Sequence, residues 1–307
     1  MRLLQAPHEV LELAFSPDGR ALAAAIAYHG VFYWNLDAAL LWPVQIPNVS
    51  SYRRGGLNFS ADSRSLSWLI ADGRQTFNRD TRQTIRESFA VTKVTYGLTI
   101  SADGSRVVSQ HGLPDNCLVG WSASEAGWMR NWRLSTLELS AESLTLTPDG
   151  QRLALFTRSA ADVLWWQLPR RLELRDAATA ELLGVGAYPY NYACPLLFSP
   201  NSQQLVGFNH MTLLVWLITA DGALGAPRLV RNDSRKHFTG CVYHPSGRYL
   251  YTTSNDTTVH VFDTHTWNRV HRLTWQLGQL RTVTISSDGN LAAAGSRTGQ
   301  IVIWDID

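Results

Sequence analysis

The 307-residue chain has almost no lysine, little cysteine and no long apolar run. Only Lys93 and Lys236 are lysines among 27 basic residues, a bias that reads as GC-rich codon usage rather than phosphate recognition. The 25 acidic residues leave a net charge of +2, so no global charge draws nucleic acid or an acidic membrane. Three cysteines, Cys117, Cys194 and Cys241, are odd in number and far apart, which excludes a disulfide framework and zinc-type spacing. No window approaches the roughly 18 consecutive apolar residues of a membrane helix. The start shows no charged region followed by an apolar core, so no signal peptide is expected. These absences predict a soluble, cytoplasmic protein with reduced thiols. Catalytic signatures are missing too. No glycine-rich loop opens a helix, and no Gly-x-Ser-x-Gly or His-Glu-x-x-His occurs. A non-catalytic protein without cofactor or metal is the expectation.

What the chain does contain is a repeat. Leu280 to Asp307 reads as three short strands and two turns, Ser286-Ser287-Asp288-Gly289 and Ser296-Arg297-Thr298-Gly299. Strands this short need further copies to bury a core. The first turn recurs at Ser16-Pro17-Asp18-Gly19, Ser60-Ala61-Asp62-Ser63, Ser101-Ala102-Asp103-Gly104, Thr147-Pro148-Asp149-Gly150, Ser199-Pro200-Asn201-Ser202 and His244-Pro245-Ser246-Gly247. Successive copies lie 41 to 52 residues apart, 45 on average. A bulky aromatic then falls near the end of a later strand: Trp34, Phe77, Trp132, Trp216, Phe262 and Trp304, with Leu174 and Arg175 in the fourth copy. Four strands per unit at this period is the pattern of β-propeller blades.

With Trp304-Asp305 as its one Trp-Asp dipeptide and Phe262-Asp263 as the nearest relative, the chain resembles the WD-repeat β-propeller family over essentially its whole length. The family's Gly-His dipeptide is missing, and its Asp-His-Ser/Thr-Trp hydrogen-bond tetrad is incomplete; blade six, with Ser254, Asp256 and Phe262, comes nearest. The resemblance implies an all-β fold, a single seven-bladed β-propeller of four-stranded antiparallel blades over residues 1–307. The last blade ends after its third strand, so Met1 to Gln5 is expected to pair there and close the ring, which also implies a complete chain. The resemblance further implies a role in assembling complexes.

Function is sought in departures from the repeat. Residues 112–128 in blade three and 158–170 in blade four read as insertions between second and third strands. A tyrosine loop, Val185 to Ala193, joins blades four and five. In a meander these connections share one face, with Trp121, Trp128, Trp165, Trp166, Arg170, Arg171, Tyr188, Tyr190 and Tyr192 as candidate partner-binding residues. Arg235 and the pair Tyr52 and Arg53 are added from neighbouring loops. Trp, Tyr and Arg anchor interfaces because they bury area yet keep a polar handle. The expected partner is another protein or peptide. Trp128, Trp165 and Trp166 are equally readable as a satellite core under their own loops. His29, His111 and His210 are expected to cap turns. A propeller enzyme or small-ligand binder using the axial pocket is the alternative, and contact of Arg53, Arg54, Arg170, Arg171, Arg235 and Lys236 with nucleic acid a third reading.

Overall fold

A computed structural model describes residues 1–47, 52–70, 73–89, 95–111, 116–125, 127–136, 139–159, 170–190 and 193–306. Among these residues, twenty-eight strands form seven four-stranded antiparallel sheets. Blade one is β2 (Val10–Phe15), β3 (Ala21–Ile26), β4 (Gly30–Asn35) and β5 (Val44–Gln45), preceded by β1 (Arg2–Gln5). Blade two is β6 (Tyr52–Phe59), β7 (Ser65–Ile70), β8 (Gly73–Asn78) and β9 (Thr84–Ser88). Blade three is β10 (Thr95–Ile100), β11 (Arg106–His111), β12 (Cys117–Ser124) and β13 (Gly127–Ser135). Blade four is β14 (Leu139–Leu146), β15 (Arg152–Ser159), β16 (Arg171–Asp176) and β17 (Leu182–Gly186). Blade five is β18 (Leu196–Phe198), β19 (Gln204–Asn209), β20 (Thr212–Leu217) and β21 (Arg228–Arg231). Blade six is β22 (Phe238–Tyr243), β23 (Tyr249–Ser254), β24 (Thr258–Asp263) and β25 (Arg269–Thr274). Blade seven is β26 (Leu280–Ile285), β27 (Leu291–Ser296) and β28 (Gln300–Asp305).

The expected closure is present. β1 lies against β28 with Arg2 opposite Ile303 and Gln5 opposite Gln300, completing the last sheet. Leu4 on this strand is 6% exposed and joins the core of blade one. The chain divides into two compact units, residues 1–88 with 232–307 (blades one, two, six and seven) and residues 89–231 (blades three to five).

The recurring turn is closed by the same kind of side-chain contact throughout. In every blade the first residue's side chain bonds the third's, as Ser16 Oγ to Asp18 Oδ1 at 2.5 Å, Thr147 Oγ1 to Asp149 Oδ1 at 2.5 Å, and His244 Nδ1 with Ser246 Oγ at 2.7 Å. The Ser16 hydroxyl also accepts the Ala21 amide at 2.8 Å, so its burial costs no unpaired donor or acceptor. The fourth position takes positive φ, +69° at Gly19 and +80° at Gly289, but Ser63 and Ser202 adopt it at 60° and 58°. A second repeated bond fixes the end of each third strand. The Leu36, Arg79, Ala123, Ala177, Ile218, Thr264 and Ile306 amides donate to Arg20, Arg64, Ser105, Gln151, Gln203, Arg248 and Asn290 carbonyls, at 2.7 to 2.9 Å. These seven residues are therefore equivalent positions.

Register corrects blade three. Trp34 faces Leu22, Phe77 faces Leu66, Trp216 faces Leu205, Phe262 faces Leu250 and Trp304 faces Ala292. The equivalent residue in blade three is Trp121, opposite Val107, not Trp132. Residues 112–128 are therefore no insertion, since most of the stretch is the third strand and the hairpin tip into the fourth. Trp132 sits on the outer strand opposite Gly120, where an added Cβ would lie 2.2 Å from the indole. In blade four, Arg158 and Ser159 extend β15, so the connection to β16 covers 160–170, against 297–299 in blade seven.

Candidate partner-binding face

The expected face splits once strand directions are followed. In blades four and five, the β15–β16 connection, the chain between β17 and β18, and the β19–β20 turn all emerge at one end of the strands. Arg170, Arg171, Tyr188, Tyr190 and Met211 belong to this end. Trp121 and Trp128 do not. Trp121 lies one residue from the β12 partner of Arg106, and Trp128 opens β13 beyond the hairpin tip, so both sit toward the opposite end.

Those two tryptophans are packed. Phe89 meets Trp128 edge-on at 4.9 Å and Trp121 at 6.1 Å. Trp121 Nε1 donates to Ser109 Oγ at 2.9 Å, and that hydroxyl lies 2.8 Å from His111 Nε2. His111 is buried with its Nε2 against Ser109 on its own strand, and the turn it was expected to cap, 112–115, lies outside the described residues. Blade three thus holds a Trp-Ser-His relay resembling the family tetrad. Blade six builds its own: Thr258 Oγ1 donates to Asp256 at 2.5 Å and lies 2.8 Å from His260 Nε2, with Asn232 bonding Ser254. Burial outweighs the Asp256 charge and holds the His260 pKa below its usual range. Blade four substitutes ions, with Glu173 bonding Thr157 at 2.8 Å and Arg175 at 2.7 Å.

The tyrosine loop is anchored rather than free. Tyr188 is 8% exposed, with its ring 4.3 Å from Phe156 and 6.3 Å from Trp216. Trp216 Nε1 donates to the Ala187 carbonyl at 3.0 Å, pinning the same turn. Burial drives the Tyr188 hydroxyl far above its normal pKa and pushes the neighbouring Cys194 thiol up to about 11. Tyr190 stands edge-on to Tyr188 at 5.8 Å and is half-buried, as is Arg170, while Arg171 is exposed. The β19–β20 turn adds Met211, 41% exposed. Met211 is a residue the sequence reading missed, although a two-residue turn between apolar strands presents its tip to solvent.

The remaining candidates lie elsewhere. Tyr52 and Arg53 fall within strand β6, opposite Ile70 and Leu69, rather than in a loop. Arg235 is exposed in a turn organised by Asn232, whose Nδ2 donates to the Lys236 carbonyl at 2.9 Å. Both belong to the unit of blades one, two, six and seven. Trp165, Trp166 and Tyr192 lie outside the described residues. Among the described residues no group of three His, Cys, Asp or Glu could hold a metal, and no helix is long and apolar enough to cross a membrane.

Seven sheets of this topology define a seven-bladed β-propeller, and the comparisons agree. The family model for the WD domain, G-beta repeat, matches residues 231–263 and 267–305, which places WD40 repeats in blades six and seven. The β-propeller domain of Cps50 (Swd1) from Myceliophteria thermophila has a similar structure, with a TM-score of 0.74, 13% identity and coverage of 100% of both chains. No curated protein sequence matches.

Proposed function

We propose that the protein is a non-catalytic platform that grips a partner protein at the end of blades four and five where Tyr190 and Met211 are presented. The observation that carries this reading is the β15–β16 connection. It spans 160–170 where blade seven needs only 297–299, and it includes Trp165 and Trp166. Long connections on a rigid scaffold usually serve binding. Tyr190 and Met211 supply apolar contact area, and Arg171 supplies a charged group for partner carboxylates or carbonyls at the rim. Free thiols at Cys117, Cys194 and Cys241 support a reducing location such as the cytoplasm.

The test is affinity capture from the source organism's lysate with the wild type and a Tyr190→Ala/Met211→Ser/Arg171→Ala variant, read by mass spectrometry beside thermal melts. A near-stoichiometric protein lost by the variant at unchanged melting temperature is expected. Equal capture by both, or by neither, would overturn the reading. Trp121 is left unchanged, because its side chain is bonded inside blade three.

A further inference from the structure

The first turns of neighbouring blades flank two clefts in equivalent places. The cleft between blades four and five, about 690 Å³, is lined by amides, Asp149, Arg152 and the exposed Leu217. Ile218, which stands where the other cleft has Arg79, is buried in the core. The cleft between blades one and two has a volume of about 450 Å³, within the usual range of ligand sites. Three carboxylates, Asp18, Asp62 and Asp80, and two guanidiniums, Arg64 and Arg79, line it together with Val44. Both guanidiniums are engaged. Arg64 reaches Asp80 at 3.8 Å, and Arg79 Nη1 donates to the Ser63 carbonyl at 2.7 Å while its guanidinium lies over Tyr33 at 5.5 Å and Phe59 at 5.7 Å. Among the described residues Asp18 and Asp62 form no ion pair. Each accepts the hydroxyl and amide of its own turn through Oδ1 alone, from Ser16 at 2.5 Å and Arg20 at 3.0 Å, and from Ser60 at 2.6 Å and Arg64 at 3.0 Å.

The connection beside this cleft departs from the repeat. In blades two, four and six the third strand passes to the fourth through five residues, 79–83, 177–181 and 264–268. All three form one turn. The Asn78, Asp176 or Asp263 side chain accepts two amides at 2.8 to 3.0 Å, and the Arg82, Ala180 or Trp267 amide donates to the carbonyl of that same residue at 2.7 to 2.9 Å. Blade one uses eight residues, 36–43. Its Asn35 side chain caps one amide, that of Asp37 at 3.1 Å, and Ala38 replaces the threonine found at 81, 179 and 266. Leu36 and Leu41 pack into the core of blade one and hold the connection down. Leu40 and Trp42, on either side of Leu41, are 69% and 73% exposed, and Val44, the next alternate position, lines the cleft. The tryptophan of the blade-six turn, Trp267, is only 5% exposed. A leucine and a tryptophan left together in water forgo the burial that stabilises the rest of the fold, and such patches mark contact surfaces.

We propose that the β4–β5 connection and its cleft bind a partner-protein segment in which a lysine or arginine stands beside a bulky apolar side chain. The apolar side chain packs on Leu40, Trp42 and Val44, with the tryptophan as the anchor. The basic group pairs with Asp18 and Asp62 through the oxygens their turns leave open. An acidic segment would face three carboxylates and two guanidiniums that already have partners, so the cleft discriminates by the sign of the charge. This surface lies at the first-turn end of blades one and two and does not rest on Tyr190 or Met211.

The test pans a random-peptide display library on the full-length wild-type protein. Enriched clones are re-assayed on Trp42→Ser, on Asp18→Asn/Asp62→Asn and on Tyr190→Ala, with a thermal melt of each variant. Asparagine suits the turn, since Asn201 holds the equivalent place in blade five and accepts Ser199 Oγ at 2.7 Å. Expected are clones with a basic residue beside an apolar one, weakened by added salt and bound about tenfold more weakly by Trp42→Ser and by the asparagine variant, with Tyr190→Ala binding as wild type and all melting temperatures unchanged. No enriched clone, clones without a basic residue, indifference to either cleft variant, or loss on Tyr190→Ala would each overturn the proposal. So would a lowered melting temperature for Trp42→Ser, which would show that side chain packing on the fold rather than presented to a partner.

Discussion

The clefts beside Arg79 and beside Leu217 share one backbone and differ in what their side chains do with it. At both, a third-strand residue donates its amide to the carbonyl of the preceding turn, Arg79 to Arg64 at 2.8 Å and Ile218 to Gln203 at 2.9 Å. At both, a serine holds positive φ in that turn. In the first cleft the guanidinium turns inward onto two rings and a carbonyl. In the second, Ile218 is drawn into the core instead, and amides, Arg152 and the exposed Leu217 line the wall. The repeat keeps its main-chain bonds while side chains at equivalent positions pack in different ways.

The largest effect is expected from the aromatics beneath the clefts. Both are buried, so Trp216→Ala and Phe77→Ala should each cost about 3–5 kcal/mol in denaturant unfolding. A loss below about 1 kcal/mol at either site would show that the two clefts do not rest on equivalent cores. Removing residues 1–5 comes next, at about 2 kcal/mol for the burial of Leu4 and the lost pairing with β28. Hydrogen exchange should report loosening in β26 to β28 while β14 to β20 keep their protection; an unchanged melting temperature would contradict the role of β1.

Smaller effects address the clefts themselves. Arg79→Ile gives the first cleft the side chain of the second. It should cost about 1 kcal/mol in a thermal melt, since a half-exposed guanidinium loses one carbonyl bond and two ring contacts. The smallest effect is in acid. Burial would raise the Asp18 pKa, but the Ser16 hydroxyl, the Arg20 amide and the Arg79 charge together hold it below the usual carboxylate value. A carboxylate with a depressed folded-state pKa stabilises above its unfolded value and loses that contribution as pH falls through the folded one. Arg79→Ile should therefore raise the Asp18 midpoint in an NMR titration. Asp256, held at about 2, titrates in the window from roughly 4 to 2 and should not move.

Much of the fold was legible because its turn is local chemistry. A hydroxyl two residues before a carboxylate or amide bonds it in six blades, and His244 bonds Ser246 in the same way in blade six, so Ser-x-Asp-Gly and its variants mark each blade. Blade three was misread because Cys117–Ser124 is interrupted by Gly120, while Trp132 offered a better-looking strand end. Gly120 is small to admit the Trp132 ring, a contact formed only after the outer strand folds back. The alternating tyrosines looked exposed because the loop is polar and proline-bearing. Tyr188 is instead drawn under it by Phe156 and Trp216, residues 32 positions before it and 28 after. The Trp121 pairing with Phe89 is likewise a packing event that no spacing announces.

By itself the sequence determined the number of blades, the turn in each and the strand that completes the last sheet. These follow from short-range hydrogen bonding and alternation along the chain, which composition and spacing encode directly. The tertiary structure decided which aromatics anchor the core and which remain available, which end of the strands each candidate occupies, and where Leu217 stands beside its cleft. Those outcomes depend on register and on contacts between residues far apart in the chain, where a one-residue shift reverses the face a side chain presents.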